Sequence, residues 1–201
     1  ADENKVERLG IVPKKKRVVL TDKELFEEAL PMQTRYGAPH PHKLVTSATT
    51  RIASTAIRRE VCSKIDELLC EKLRRCGQIS SQQLDVVATA RFNYNRGLST
   101  LIGDGTGVGK GRELAGCMLN QYELSGTRRF VYVSVNQQAL APVLAADMKA
   151  IGMKQQPLGF PKKATDRIAD TGAVLFITYS KLNRGEERVK QIARWGAREK
   201  I

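Results

Sequence analysis

Gly103, Gly105, Gly107 and Gly109 occupy alternate positions and run straight into Lys110. Few local structures need four residues without a Cβ in so short a span. Ahead of them the apolar pair Leu101-Ile102 reads as a buried strand. Behind them Glu113, Leu114, Ala115, Met118 and Leu119 recur with the spacing of a helix that has one apolar face. Strand, glycine loop, lysine, helix is a layout that holds phosphate. A tightly turning chain points its backbone N–H groups at phosphate oxygens, and the helix N-terminus adds a partial positive charge there. Lys110 supplies a full charge for the outer phosphates. The expected nucleotide contacts are Gly105, Thr106, Gly107, Val108, Gly109, Lys110, Gly111 and Arg112. Two positions depart from the general pattern. Asp104 stands where the first glycine belongs, and Gly111 stands where a Ser or Thr hydroxyl would face magnesium. The competing reading is a glycine-rich turn that binds nothing.

The 201 residues suffice for one core plus an extension. A net charge of +13 points to a polyanionic partner, nucleic acid first. Aromatic residues make up only 5%, so phosphate contacts rather than base stacking would carry the affinity. Cys62, Cys70, Cys76 and Cys117 form no CxxC pair, which argues against a zinc knuckle and for reduced core thiols. No apolar run approaches the length of a membrane span.

Three regions follow along the chain. Residues 1–20 form a basic arm, too poor in apolar residues to fold alone. Within it Pro13-Lys-Lys-Lys-Arg-Val18 resembles a nuclear import signal, although the same charges suit a solvated linker or an RNA backbone. Residues 21–97 form a helical segment. Thr21–Leu30 is expected to be a capped helix, 31–50 a proline-rich connector with His40 and His42, and 53–76 one continuous helix stopped by Gly77. A further helix is expected from Ser80 or Ser81. Residues 98–201 form the phosphate-loop domain, with strands near 98–102, 129–135 and 173–179. The helices between and after them carry Leu140, Val143 and Leu144, then Val189, Ile192 and Trp195, on their inner faces; Pro142 is expected in a first turn. Residues 154–171 read mostly as loop. Alternating strands and helices imply an α/β fold with a parallel sheet flanked by helices.

The run Ile102-Gly-Asp-Gly-Thr-Gly-Val-Gly-Lys-Gly-Arg112 resembles the first motor lobe of superfamily-two helicases and, more narrowly, the Strawberry notch family, which also has Gly after the lysine. Ile79-Ser-Ser-Gln-Gln-Leu-Asp85 resembles that family's L-S-x-x-Q-L-E segment, and the resemblance implies that Gln83 reads adenine. Val133-Ser-Val135 with the stretch from Asp147 to Gly152, and Phe176-Ile-Thr-Tyr-Ser-Lys-Leu182, resemble later segments of the same lobe. The resemblance covers residues 39–201 and implies a RecA-like P-loop lobe. ATP, with magnesium, is the implied cofactor. The family's acidic magnesium motif and second lobe do not occur before Ile201, and no catalytic residue or metal ligand is assigned.

Two functions are therefore expected. In the first, the chain is the nucleotide-binding lobe of a helicase-like ATPase that acts on nucleic acid. In the second, it is a non-catalytic RNA-binding component or assembly factor of a ribonucleoprotein that retains a degenerate helicase lobe. Both make it part of a larger protein or assembly, bound to nucleic acid through its basic surface and arm. The nucleus is the expected location, with the mitochondrial matrix or another organelle interior as the alternative.

Overall fold

The computed structural model describes residues 55–103, 107–163, 165–170 and 174–197. The basic arm, the expected helix at 21–30, the connector with its two histidines, and Asp104, Gly105 and Thr106 lie outside them. Helices come first: α1 Thr55–Ser63, α2 Ile65–Leu68, α3 Glu71–Arg74, α4 Ser81–Asn95 and α5 Lys110–Ser125. Then follow β1 Phe130–Ser134, α6 Gln137–Ala150, β2 Pro157–Gly159, β3 Val174–Thr178, α7 Tyr179–Leu182 and α8 Glu186–Ala197. The three strands form one parallel sheet in the order β1-β3-β2. Phe130 pairs with Val174 and Ser134 with Thr178, while Pro157 also faces Val174 from the other side. This is the expected α/β arrangement, a parallel sheet flanked by helices.

The central strand shows why the sheet is covered on both faces. All five residues of β3 are buried. Side chains alternate along a strand, so Val174 and Phe176 enter a core shared with α1–α6, including Leu84, Leu119 and Met148. Leu175 and Ile177 enter a second core with Phe160, Ile168 and Trp195. A continuous apolar run is what a parallel strand between two layers requires. Tyr132 of β1 stacks on Phe176 with ring centroids 5.1 Å apart. Helices α4 and α5 approach closely at Gly116, where a Cβ would lie 2.9 Å from a Val87 methyl.

Four expectations need correction, and a fifth gains one short element. The segment 53–76 packs as foreseen, with Leu73 buried, but it is three short helices rather than one. Leu69 and Cys70 are extended, and the side chain of Asn120 in α5 takes up the backbone groups on either side of Leu69. Asn120 Oδ1 accepts from Cys70 N–H at 2.8 Å, and Nδ2 donates to Leu68 C=O at 2.7 Å. One buried amide thus replaces the helical partners of two peptide groups.

Residues 98–102 are not a strand, and Leu101 is 94% exposed rather than buried. Both edges of β3 are occupied by β1 and β2, and no described strand reaches 98–102. A single extended segment without a neighbour has no ladder to join. Pro142 sits in the second turn of α6, not the first, because the helix starts three residues earlier than its apolar pattern suggests. Asn136 caps that start by accepting from Ala139 N–H. Residues 157–159 form the short strand β2 inside the expected loop. In α8, Val189 is 53% exposed, while Arg188 and Gln191 are buried beside Trp195. Arg188 is turned inward by the carbonyls of Pro161 and Lys162, which its guanidinium binds at 3.3 and 2.6 Å.

Candidate nucleotide site

The loop that leads into α5 is built from both sides. Helix α5 begins at Lys110, as its sequence predicts, and its N-cap is Gly109, which has no side chain to accept from the first-turn N–H groups. Gly107 and Gly109 have φ of 90° and 89°, in the left-handed region where a Cβ is strained. Val108 between them is 2% exposed, so one side chain pins the loop to the core.

Gln83 holds the same loop from α4. Its Nε2 donates to Val108 C=O at 3.0 Å and to Gly109 C=O at 3.3 Å. Its Oε1 accepts from Ser80 N–H at 3.0 Å, and Ser80 Oγ accepts from Gln83 N–H at 3.3 Å. That reciprocal pair is a capping box, so one residue starts α4 and fastens the phosphate loop. A Cβ on Gly109 would lie 2.5 Å from Gln83 Nε2. The structure therefore brings Gln83, Val108, Gly109 and Lys110 together, and both ends of the Gln83 carboxamide are engaged by backbone. Lys110 is half-buried at the helix start.

Beyond Lys110, Gly111 faces α6. An ideal Cβ at Gly111 would lie 2.3 Å from Asp147 Oδ2. Arg112 Nε donates to Asp147 Oδ1 at 2.9 Å, and its Nη1 donates to Gln78 C=O. Asp147 lies close to β1 as well: burial first, then the Asp147 charge, pushes the pKa of the Tyr132 hydroxyl up. Behind the loop, Cys117 in α5 has its pKa pushed up to about 12 by burial and then by Glu113.

These residues fit a phosphate-bearing ligand: left-handed glycines, an uncapped helix N-terminus and a lysine at its first position. They do not by themselves fit magnesium. Gly111 offers no hydroxyl, the Asp147 carboxylate beside it is paired with Arg112, and among the described residues no group of three His, Cys, Asp or Glu could hold a metal ion.

A second feature lies where the strands end. Residues just beyond β1, β2 and β3 line a cleft of about 700 Å³. Asn136 and Gln137 follow β1, Phe160 and Lys162 follow β2, and Thr178 and Lys181 close the third side. Lys181 Nζ donates to Gln137 Oε1 at 2.9 Å. Arg188 lies 5.2 Å from the Phe160 ring centroid and steadies that wall. No local motif in the sequence marks this cleft. Its signal was present as a polar or basic residue just beyond each strand, but only the parallel register brings the three ends together. In the sequence Asp147 stands out only through the resemblance of its segment to the family's first lobe. The missing side chain at Gly111 was its trace in the sequence.

The family model described as P-loop containing NTP hydrolase pore-1 matches residues 39–200. The chain is 28% identical over 195 residues to a strawberry notch homolog of Caenorhabditis elegans, covering 86% of this chain and 10% of that protein. It is 28% identical over 192 residues to the human strawberry notch homolog 1, covering 86% and 13%. It is 25% identical over 189 residues to FORGETTER 1 of Arabidopsis thaliana, covering 86% and 14%. The chain thus spans between a tenth and a seventh of the length of these relatives. No solved structure matches it.

Proposed function

This chain belongs to the P-loop containing NTP hydrolase pore-1 family, and from that premise we propose that it is the nucleotide-binding lobe of a Strawberry notch-like ATPase acting on nucleic acid. The observation that carries the reading is Lys110 at the first position of α5, directly after two left-handed glycines. The backbone amides of residues 107–111 would hold the phosphates of ATP, where the helix N-terminus and Lys110 balance their charge. Arg112 flanks the loop exit. Gln83, fastened to the loop, is the residue nearest in role to an adenine reader, and nucleotide entry would trade its hold on Val108 or Gly109 for the base. Magnesium, the implied companion of ATP, would add charge at the outer phosphates, and no ligand for it is assigned among the described residues.

The cleft at the strand ends suits a nucleic-acid backbone. Open parallel sheets bind ligands beyond their carboxyl ends, and two lysines with amide and hydroxyl groups offer donors to phosphate. Most of the excess positive charge of +13 falls after residue 54, so the fold itself is basic. The import-like run Pro13–Val18 supports a nuclear location, which a fluorescent reporter carrying that run would test. No helix among the described residues is long and apolar enough to cross a membrane.

The decisive experiment is titration of a fluorescent ATP analogue against the wild type and Lys110→Ala. Loss of one charge-assisted contact costs about 1.5–3 kcal/mol, on the order of ten- to a hundredfold in affinity. Equal affinity in both would empty the loop and leave the ribonucleoprotein-component reading in its place.

A further inference from the structure

Ordinary phosphate loops complete themselves, because the residue after the lysine carries a hydroxyl. Here that position is Gly111, and the space its side chain would need is already taken. Asp147 Oδ2 lies 2.3 Å from the ideal Cβ and Asp147 Cγ 3.5 Å from it, closer than any Cβ could tolerate. The carboxylate is not there by accident of a mobile surface group. Its helix is fixed by Leu144 and Met148, which are 2% and 0% exposed on either side of it. Its other oxygen holds Arg112 Nε at 2.9 Å, and Arg112 in turn reaches Gln78 C=O ahead of α4. Asp147 and Arg112 are 17% and 24% exposed, so the pair is partly withdrawn from water and stronger than a surface pair.

We propose that Asp147 is a positioning residue of the nucleotide site: its carboxylate fills the place left by Gly111, fixes Arg112, and so sets the exit of the phosphate loop from α6. The glycine is then required by the carboxylate, and the carboxylate by the glycine. This rests on the reading that the loop binds nucleotide. The consequence runs against simple repair. Gly111→Ser, which restores the residue of ordinary loops, drives its side chain against the carboxylate, which must swing away and loosen its hold on Arg112. It damages the site it appears to complete.

The test is a double-mutant cycle on the full chain with a fluorescent ATP analogue as the probe. Gly111→Ser and Asp147→Ala should each weaken the analogue by about fivefold to tenfold, by displacing or releasing Arg112. The double variant has room for the hydroxyl but still lacks the carboxylate that holds Arg112, so it should bind about as Asp147→Ala does instead of showing the product of the two losses. Asp147→Asn keeps the shape, trades the ion pair for a neutral bond, and should fall between wild type and Asp147→Ala. Thermal midpoints measured beside each titration separate positioning from unfolding, since compensation in affinity without compensation in midpoint is not a stability effect. Losses that simply multiply in the double variant, or a Gly111→Ser chain that binds like the wild type, overturn the proposal while leaving the nucleotide reading intact. A folded wild type that does not bind the analogue overturns both.

Discussion

At the scale of single residues, the loop is held by one amide and two glycines. Gln83 spends its carboxamide oxygen on the α4 cap and its nitrogen on the carbonyls of Val108 and Gly109. Gly109 needs both its left-handed φ of 89° and its missing Cβ, because the nearest atom would lie 2.5 Å away. Gly109→Val therefore meets two obstacles: a β-branched residue disfavours φ above zero, and the side chain collides with Gln83. Its expected effect is a loss of nucleotide affinity at least as large as that of Lys110→Ala, read in the same analogue titration. Gln83→Ala removes a capping-box partner and the clasp together. It should lower stability by about 1–2 kcal/mol in urea unfolding, and a change below about 0.3 kcal/mol would mean that the clasp contributes nothing.

At the scale of elements, the break in the 53–76 segment shows how tertiary bonds overrule local periodicity. Ile65, Leu68, Leu69 and Leu73 keep a helical rhythm, and isolated from the rest they have no reason to stop. Asn120 stops them, because its buried amide offers Leu68 C=O and Cys70 N–H partners 2.7 and 2.8 Å away. Asn120→Leu leaves both peptide groups buried without those partners and should destabilise the fold by about 2–4 kcal/mol in denaturant unfolding. A change under about 1 kcal/mol would indicate that the segment re-forms a continuous helix. Helix α6 is the counterpart on the other side. Its N-terminus lines the cleft through Asn136 and Gln137, and its far half carries Asp147 to the phosphate loop. One rigid element thus touches both proposed sites.

At the scale of the whole molecule, two bulk properties follow from charge and burial. Binding of a single-stranded oligonucleotide should weaken steeply with salt. Lys162→Ala and Lys181→Ala should each flatten the logarithmic salt slope by roughly one unit or less, while nucleotide affinity stays unchanged. An unaltered slope in both would move the nucleic acid away from the cleft. Stability should also fall in alkali. An exposed thiol ionises near 9.0, but burial and then the nearby Glu113 push the Cys117 thiol up to about 12 in the fold. Between those limits the unfolded chain releases a proton that the folded chain keeps, so stability declines as pH rises through that window. Cys117→Ala should show a shallower fall in thermal midpoint from pH 9 upward, and parallel curves would show that burial of this thiol is not what alkali acts on.

What was legible in the sequence was whatever local chemistry decides. Glycine spacing and the position of Lys110 marked the loop and the start of α5, because left-handed backbone and helix initiation are properties of a few adjacent residues. The β-branched runs at 130–134 and 174–178 and the Ser80 cap were visible for the same reason. The tertiary structure decided the rest, in each case because the partner is distant in the chain. Residues 98–102 look like a strand but have no described neighbour to pair with, so Leu101 stands in solvent. Arg188 looks like a surface residue of α8 until the carbonyls of 161 and 162 draw it inward. Gly111 looks like a defect in a phosphate loop until α6 places the carboxylate of Asp147 against it. A missing side chain carries no sign of what fills its place; only packing between helices 36 residues apart in sequence, Gly111 on α5 and Asp147 on α6, reveals that.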